Sequence, residues 1–128
     1  MAYIVWKDSF NIGVKVMDDQ HKLFASYINE LYEAMQLGKA EDIVAPILDK
    51  LTAYSKTHFA AEEEMLKYNN CPMLETQIIQ HAYFVSELVS FKCSYQNETQ
   101  TAQNMLLFVK DWLLHHITTE DLKYAELV

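Results

Sequence analysis

His58 and Glu62 stand four residues apart in the stretch from Thr57 to Leu66, "THFAAEEEML". On a helix this spacing sets both side chains on one face, one turn apart. An imidazole and a carboxylate aimed together into a helical protein form the beginning of a metal site. Alone the pair decides little, because His and Glu at this spacing also occur on solvated faces. The question is whether other histidines and carboxylates take inward positions elsewhere.

The elements that would position them follow from hydrophobic spacing. Residues 1–18 form an arm with Tyr3, Ile4, Val5, Trp6, Phe10, Ile12, Val14 and Val16 but no helical period, so an extended lead-in across the bundle is expected. Asp18 and Asp19 read as caps of a first helix, in which His21, Phe24, Ile28, Leu31 and Met35 recur at three- and four-residue spacing until Gly38 stops it. The second begins near Glu41, tolerates Pro46 near its first turn, and carries Ile47, Leu51, Tyr54, His58, Glu62 and Met65 to the breaker "YNNCP". In the third, Leu74, Gln77, His81, Phe84, Leu88, Phe91 and Tyr95 share one row. After the polar link "SYQNETQ" the fourth reads Ala102, Met105, Leu106, Val109, Trp112, Leu113 and His116. The spacing thus predicts helices over about 19–37, 41–67, 73–95 and 100–117, joined by short links into an all-α, up-down-up-down four-helix bundle.

Composition agrees and excludes other classes. The 128 residues make one domain, with a core large enough to need no staples. Only two Gly and two Pro beside 51% hydrophobic residues leave few turns for an all-β protein. No apolar run is long enough to span a bilayer and no leader signals export, so a cytoplasmic protein is expected. Cys71 and Cys93 form no CxxC and receive no role. A formal charge of −8 repels nucleic acid and anionic membrane surfaces, so neither is expected as a partner.

Four of the five histidines fall on inward stripes, one per helix. His21 is early in the first helix, His58 late in the second, His81 early in the third and His116 late in the fourth. In an antiparallel bundle those positions share one height. A lone inward histidine is ordinarily a hydrogen-bonded core residue. Four at one level beside an inward Glu62 fit that reading poorly, because an unpaired buried carboxylate costs several kcal/mol and a divalent ion neutralises it directly.

These residues resemble the hemerythrins, helical O2-binding proteins with a non-heme di-iron centre. The resemblance covers nearly the whole chain: Trp6 in the arm, "DDQH" at Asp18 to His21, "HFAAEE" at His58 to Glu63, the "CP..E" turn, and "DWLLHHITTED" followed by Lys123 and Tyr124. It implies His21 and His58 as ligands of one iron, His81 and His116 of the other, and Glu62 and Asp121 as bridging carboxylates beside an oxo or hydroxo bridge. His116 is preferred to His115 because the family separates this histidine from the aspartate by five residues, and because His116 continues the row of Val109 and Trp112. Five residues turn a regular helix about 140° beyond a full turn, so the fourth helix is expected to distort or end near Ile117 to Thr119.

One position departs from the family, which presents HxxxH on the third helix where this chain has Gln77 and His81. An amide oxygen is a harder and weaker donor to iron than imidazole. Three outcomes are open, that Gln77 ligates through its oxygen, holds a water, or leaves a one-metal site, beside the plain reading that it only hydrogen-bonds inside a packed core. An intact two-metal site is the favoured expectation, with faster loss of the O2-active state than in a five-histidine relative. The family takes O2 on the iron held by fewer histidines, here His21 and His58. Resemblance and register offer Phe24, Trp112 and Leu113 as the apolar walls that favour reversible binding.

The leading function is therefore O2 binding for storage, delivery, scavenging or sensing, by a monomer whose redox partner is not identified, rather than an enzyme. The alternatives are a di-iron redox enzyme acting on peroxide or nitric oxide, and a metal-responsive interaction module.

Overall fold

A computed structural model describes residues 3–37, 41–94 and 99–128. Four long helices account for most of them: α1 (Lys15–Gln36), α2 (Glu41–Tyr68), α3 (Leu74–Ser94) and α4 (Thr99–His115). Each packs on the next and α4 returns onto α1, closing an all-α four-helix bundle with no strand among the described residues. The Gly38 stop and the link at 95–98 lie outside the described residues.

The buried rows explain the closure. Met17, His21, Phe24, Ile28 and Leu31 line α1; Val44, Leu48, Leu51, Ser55, His58, Glu62 and Leu66 line α2; Gln77, His81, Phe84 and Leu88 line α3; Met105, Val109 and Leu113 line α4. Every step is three or four residues, so each row stays on one face and meets the others in a single core. Pro46 lies inside α2, in its second turn, where its ring removes one backbone hydrogen bond. The helix stops where Asn70 takes a left-handed φ of 51° and Cys71 N donates back to Leu66 O at 2.9 Å.

The start of α1 corrects the expectation. Asp18 is no cap, because the helix begins at Lys15 behind Val14, which makes no side-chain capping bond. Asp18 instead lies buried within the first turn and accepts from Ile12 N at 2.8 Å and Gly13 N at 3.2 Å, tying the arm to the helix it precedes. Asp19 pairs with Lys15 in solvent. Further out, Asn29 on α1 exchanges two hydrogen bonds with the Ile4 backbone, and Tyr3 stacks on Tyr32 with ring centroids 4.4 Å apart. The arm runs along the bundle and buries its own Ile4 and Ile12, but it is not extended throughout, because Asp8–Phe10 form a short 3-10 turn and residues 15–18 already belong to α1.

Candidate metal centre

Beyond His115 the fourth helix changes its winding. His116–Asp121 form a π-helical turn, followed by the single turn Leu122–Tyr124. Thr118 contributes to the change, since its hydroxyl donates to the Leu114 carbonyl at 2.7 Å, the acceptor one regular turn back. The expected distortion is therefore a widened turn rather than a helix end. Its consequence is that His116 and Asp121, which a regular helix would separate, are both buried, with Nε2 and Oδ1 3.1 Å apart.

The inward residues converge at this end of the bundle. His21, His58, Glu62, Gln77, His81, His116 and Asp121 are all buried, whereas His115 is exposed. Two groups form around Glu62, one with His21 and His58 and one with His81 and His116. The Glu62 carboxylate divides between them: Oε2 lies 3.6 Å from His21 Nε2 and 3.8 Å from His58 Nε2, while Oε1 lies 2.9 Å from His81 Nε2. Asp121 divides likewise, with Oδ2 3.1 Å from His21 Nε2 and Oδ1 facing His116. Gln77 fills the remaining corner, its Oε1 2.8 Å from His116 Nε2 and its amide nitrogen donating to Asp121 Oδ1 at 2.9 Å.

For four of these atoms close approach is not hydrogen bonding. His21 Nε2, His81 Nε2, Glu62 Oε1 and Asp121 Oδ2 are fully buried, yet none has an aligned hydrogen-bond partner. Such groups are costly unless something else meets their lone pairs. Imidazole nitrogens and carboxylate oxygens turned toward common points are what two divalent ions require, so the donor set fits a pair of iron ions.

The charges agree. Burial opposes the His21 imidazolium, but the facing carboxylates of Asp121 and Glu62 outweigh it and carry the group up to about 9. For His58 burial prevails and lowers the ring to about 4. Burial would raise Glu62, yet His21 and His81 hold it well below the usual carboxylate range. Glu62 is thus held as an anion by the positive charge of His21 and His81 beside it, a place that a bound ion would take instead.

Several neighbours escaped the sequence reading. Gln20 Oε1 lies 2.7 Å from His58 Nδ1, and Glu63 Oε2 lies 2.7 Å from His81 Nδ1. Each contact makes Nδ1 the protonated nitrogen and turns the Nε2 lone pair inward. Tyr124 donates to Glu62 Oε2 at 2.7 Å, and burial with the nearby carboxylates pushes its phenol far above its ordinary value. The Phe59 ring stacks on His81 at 4.0 Å. The residues were visible in "HFAAEE" and in Tyr124 itself, but no spacing rule assigns such partners across helices. Of the three wall candidates, Phe24 is fully buried beside His58 at 5.8 Å and Leu113 is buried in α4. Trp112 is half-buried and stacks on His116 at 4.4 Å, on the opposite side of the centre from His21 and His58.

Comparison with known proteins points the same way. The chain is 29% identical over 128 residues to bacteriohemerythrin of Pseudomonas aeruginosa (strain UCBPP-PA14), covering all of this chain and 83% of the relative. It is 29% identical to that of Clostridium acetobutylicum, covering 95% and 98% of the two chains. Myohemerythrin of Theromyzon tessulatum is 27% identical, covering 93% and 88%. Among solved structures, a leucine-to-tyrosine variant of hemerythrin superposes with a TM-score of 0.88 at 25% identity, covering 99% of this chain and 98% of that one. Residues 12–128 match the family described as the hemerythrin HHE cation binding domain, and with these buried donors in place the chain belongs to that family.

Proposed function

We propose that this chain binds O2 reversibly at a non-heme di-iron centre, for storage, delivery or scavenging. One observation supports it above others: each buried carboxylate turns one oxygen toward each histidine pair, as a bridge between two metal ions would. His21 and His58 would hold one ion, His81 and His116 the other, with Glu62 and Asp121 shared. When bound, the two ferrous ions supply the electrons that O2 draws on as it binds and returns as it leaves.

The chain's own residues do the rest. Gln20 and Glu63 orient His58 and His81, so each ring presents a lone pair inward. Tyr124 fixes Glu62 through its hydroxyl and, with so high a pKa, keeps its proton at neutral pH. The His21 and His58 half has no side chain in the place that Gln77 fills beside His116, which makes it the half open to O2. Phe24 stands beside His58 as an apolar wall and the family resemblance adds the buried Leu113, together excluding the water and protons that would turn binding into irreversible chemistry.

The optical spectrum of anaerobically iron-loaded protein tests this reading. A visible charge-transfer band that appears with O2 and vanishes on deoxygenation is the expected result. Direct passage to a permanent ferric spectrum would replace O2 binding with redox chemistry.

A further inference from the structure

Gln77 is 1% exposed, and both ends of its amide are committed. An ionised aspartate only accepts hydrogen bonds, so the amide nitrogen must be the end on Asp121 Oδ1. The oxygen therefore faces His116 Nε2, 2.8 Å away. At that distance the ring nitrogen donates to the amide oxygen while it carries a proton; once it gives its lone pair to a bound ion that hydrogen bond is lost, and the oxygen, held beside it, faces the same ion. An ion held jointly by Gln77 Oε1 and Asp121 Oδ1 would close a six-membered ring through the amide and its hydrogen bond, an unstrained arrangement.

From this geometry, and resting on the two-metal reading above, we propose that Gln77 ligates the metal ion of the His81 and His116 half through its amide oxygen, and that this makes the half less selective against a harder ion. Its donor set becomes two imidazole nitrogens with oxygens from Glu62, Asp121 and Gln77. Carboxylate and carbonyl oxygens favour Mn(II), whereas imidazole favours Fe(II) and later metals. The centre then discriminates less against Mn(II) on this side than on the His21 and His58 side, and it accepts a mixed Mn/Fe pair. Asp121 keeps the amide plane in place, so the oxygen is presented ready for the ion rather than swinging to meet it.

Two measurements test this on the full chain. In the first, wild-type protein and Gln77→His are equilibrated anaerobically with Mn(II) and Fe(II) together, and the retained metals are counted per chain. Restoring the imidazole lowers the Mn-to-Fe ratio by about tenfold, and an unchanged ratio overturns the selectivity. The second is a crystal structure of the Mn(II)-loaded wild-type protein, which depends on no variant folding. Gln77 Oε1 lies about 2.2 Å from the ion if it ligates, between the distances that oxygens keep from Mg and Ca. An oxygen beyond bonding distance, with water in its place, overturns the ligand assignment while two bound ions still support the two-metal centre. Fewer than two ions of both metals together per wild-type chain in the first measurement overturns both readings.

Discussion

The two halves of the metal centre share their carboxylates but differ in nearly everything else. The half built from α1 and α2 holds two imidazoles, orients His58 with the neutral amide of Gln20, and faces the fully buried ring of Phe24. The half built from α3 and α4 adds Gln77 and orients His81 with the Glu63 carboxylate, whose side chain keeps 29% of its surface in solvent. Trp112, itself half-buried, shields its His116 and lines a surface groove with Tyr83 and Leu107. One half is sparse and dry, the other crowded with oxygen and close to water. On the function proposed above, the difference amounts to a division of labour: the first half would receive O2, and the second would set how firmly the metal pair is held and how readily it loses electrons.

The largest effect comes from abolishing what the halves share. Glu62→Leu removes one of the two carboxylates that face both histidine pairs, the one beside His58 and His81, so it strips metal from both. Iron content falls below one per chain, and the melting temperature ceases to respond to iron. The wild-type protein, in contrast, gains about 4 kcal/mol when free iron stands a thousandfold above its dissociation constant. Retention of one tightly bound iron by the variant would show the halves to be independent.

Next in size is the backing of His81. A carboxylate partner raises the basicity of a ligating imidazole, and losing such a partner costs about 10–100-fold in metal affinity. Glu63→Gln keeps the shape and removes the charge, so it weakens the second half by that range. Gln20→Ala, on the first half, removes only a neutral acceptor and has the smaller effect. Equal losses in an anaerobic iron titration would break the asymmetry.

A more modest effect separates the halves kinetically. If Gln77 ligates as proposed, Gln77→His replaces a weaker oxygen donor with a firmer nitrogen, so fewer anions and waters reach the second ion. The spontaneous loss of O2-binding protein to its oxidised form slows by about tenfold, with little change in the first half. A rate equal to that of the wild type would leave the crowded half without the part assigned to it.

The legibility of the site follows the physics of registers. His21, His58, Glu62, Gln77 and His81 lie in rows whose three- and four-residue steps place them inward whatever the details of packing. Asp121 lies off any regular row, and only the resemblance to the hemerythrins implied it, because the π-helical turn that buries it has no compositional signature beyond its paired threonines. Gln20 and Glu63 were illegible for another reason. Their roles depend on which rotamers meet across helices, and spacing along one chain carries no such information. The start of α1 misled because an aspartate before an apolar row usually caps a helix, whereas Asp18 here serves the backbone of the arm.

The smallest predicted effect tests whether a bridging carboxylate acts as one group or as two oxygens. Tyr124 donates to Glu62 Oε2, the oxygen turned toward His21 and His58, and the Oε1 that faces His81 has no such donor. Tyr124→Phe removes this hydrogen bond without changing the ring that fills the core. Loss of a hydrogen bond to a charged acceptor costs about 1.5–3 kcal/mol at most, and a bound ion that takes up the freed charge leaves less than that. If the two oxygens act separately, stepwise iron titration shows weaker binding in the first half alone, by a few-fold. Should both steps weaken together, Glu62 turns within its site as a unit, and the contrast between the halves then resides in Gln77 and Glu63 rather than in the bridge they share.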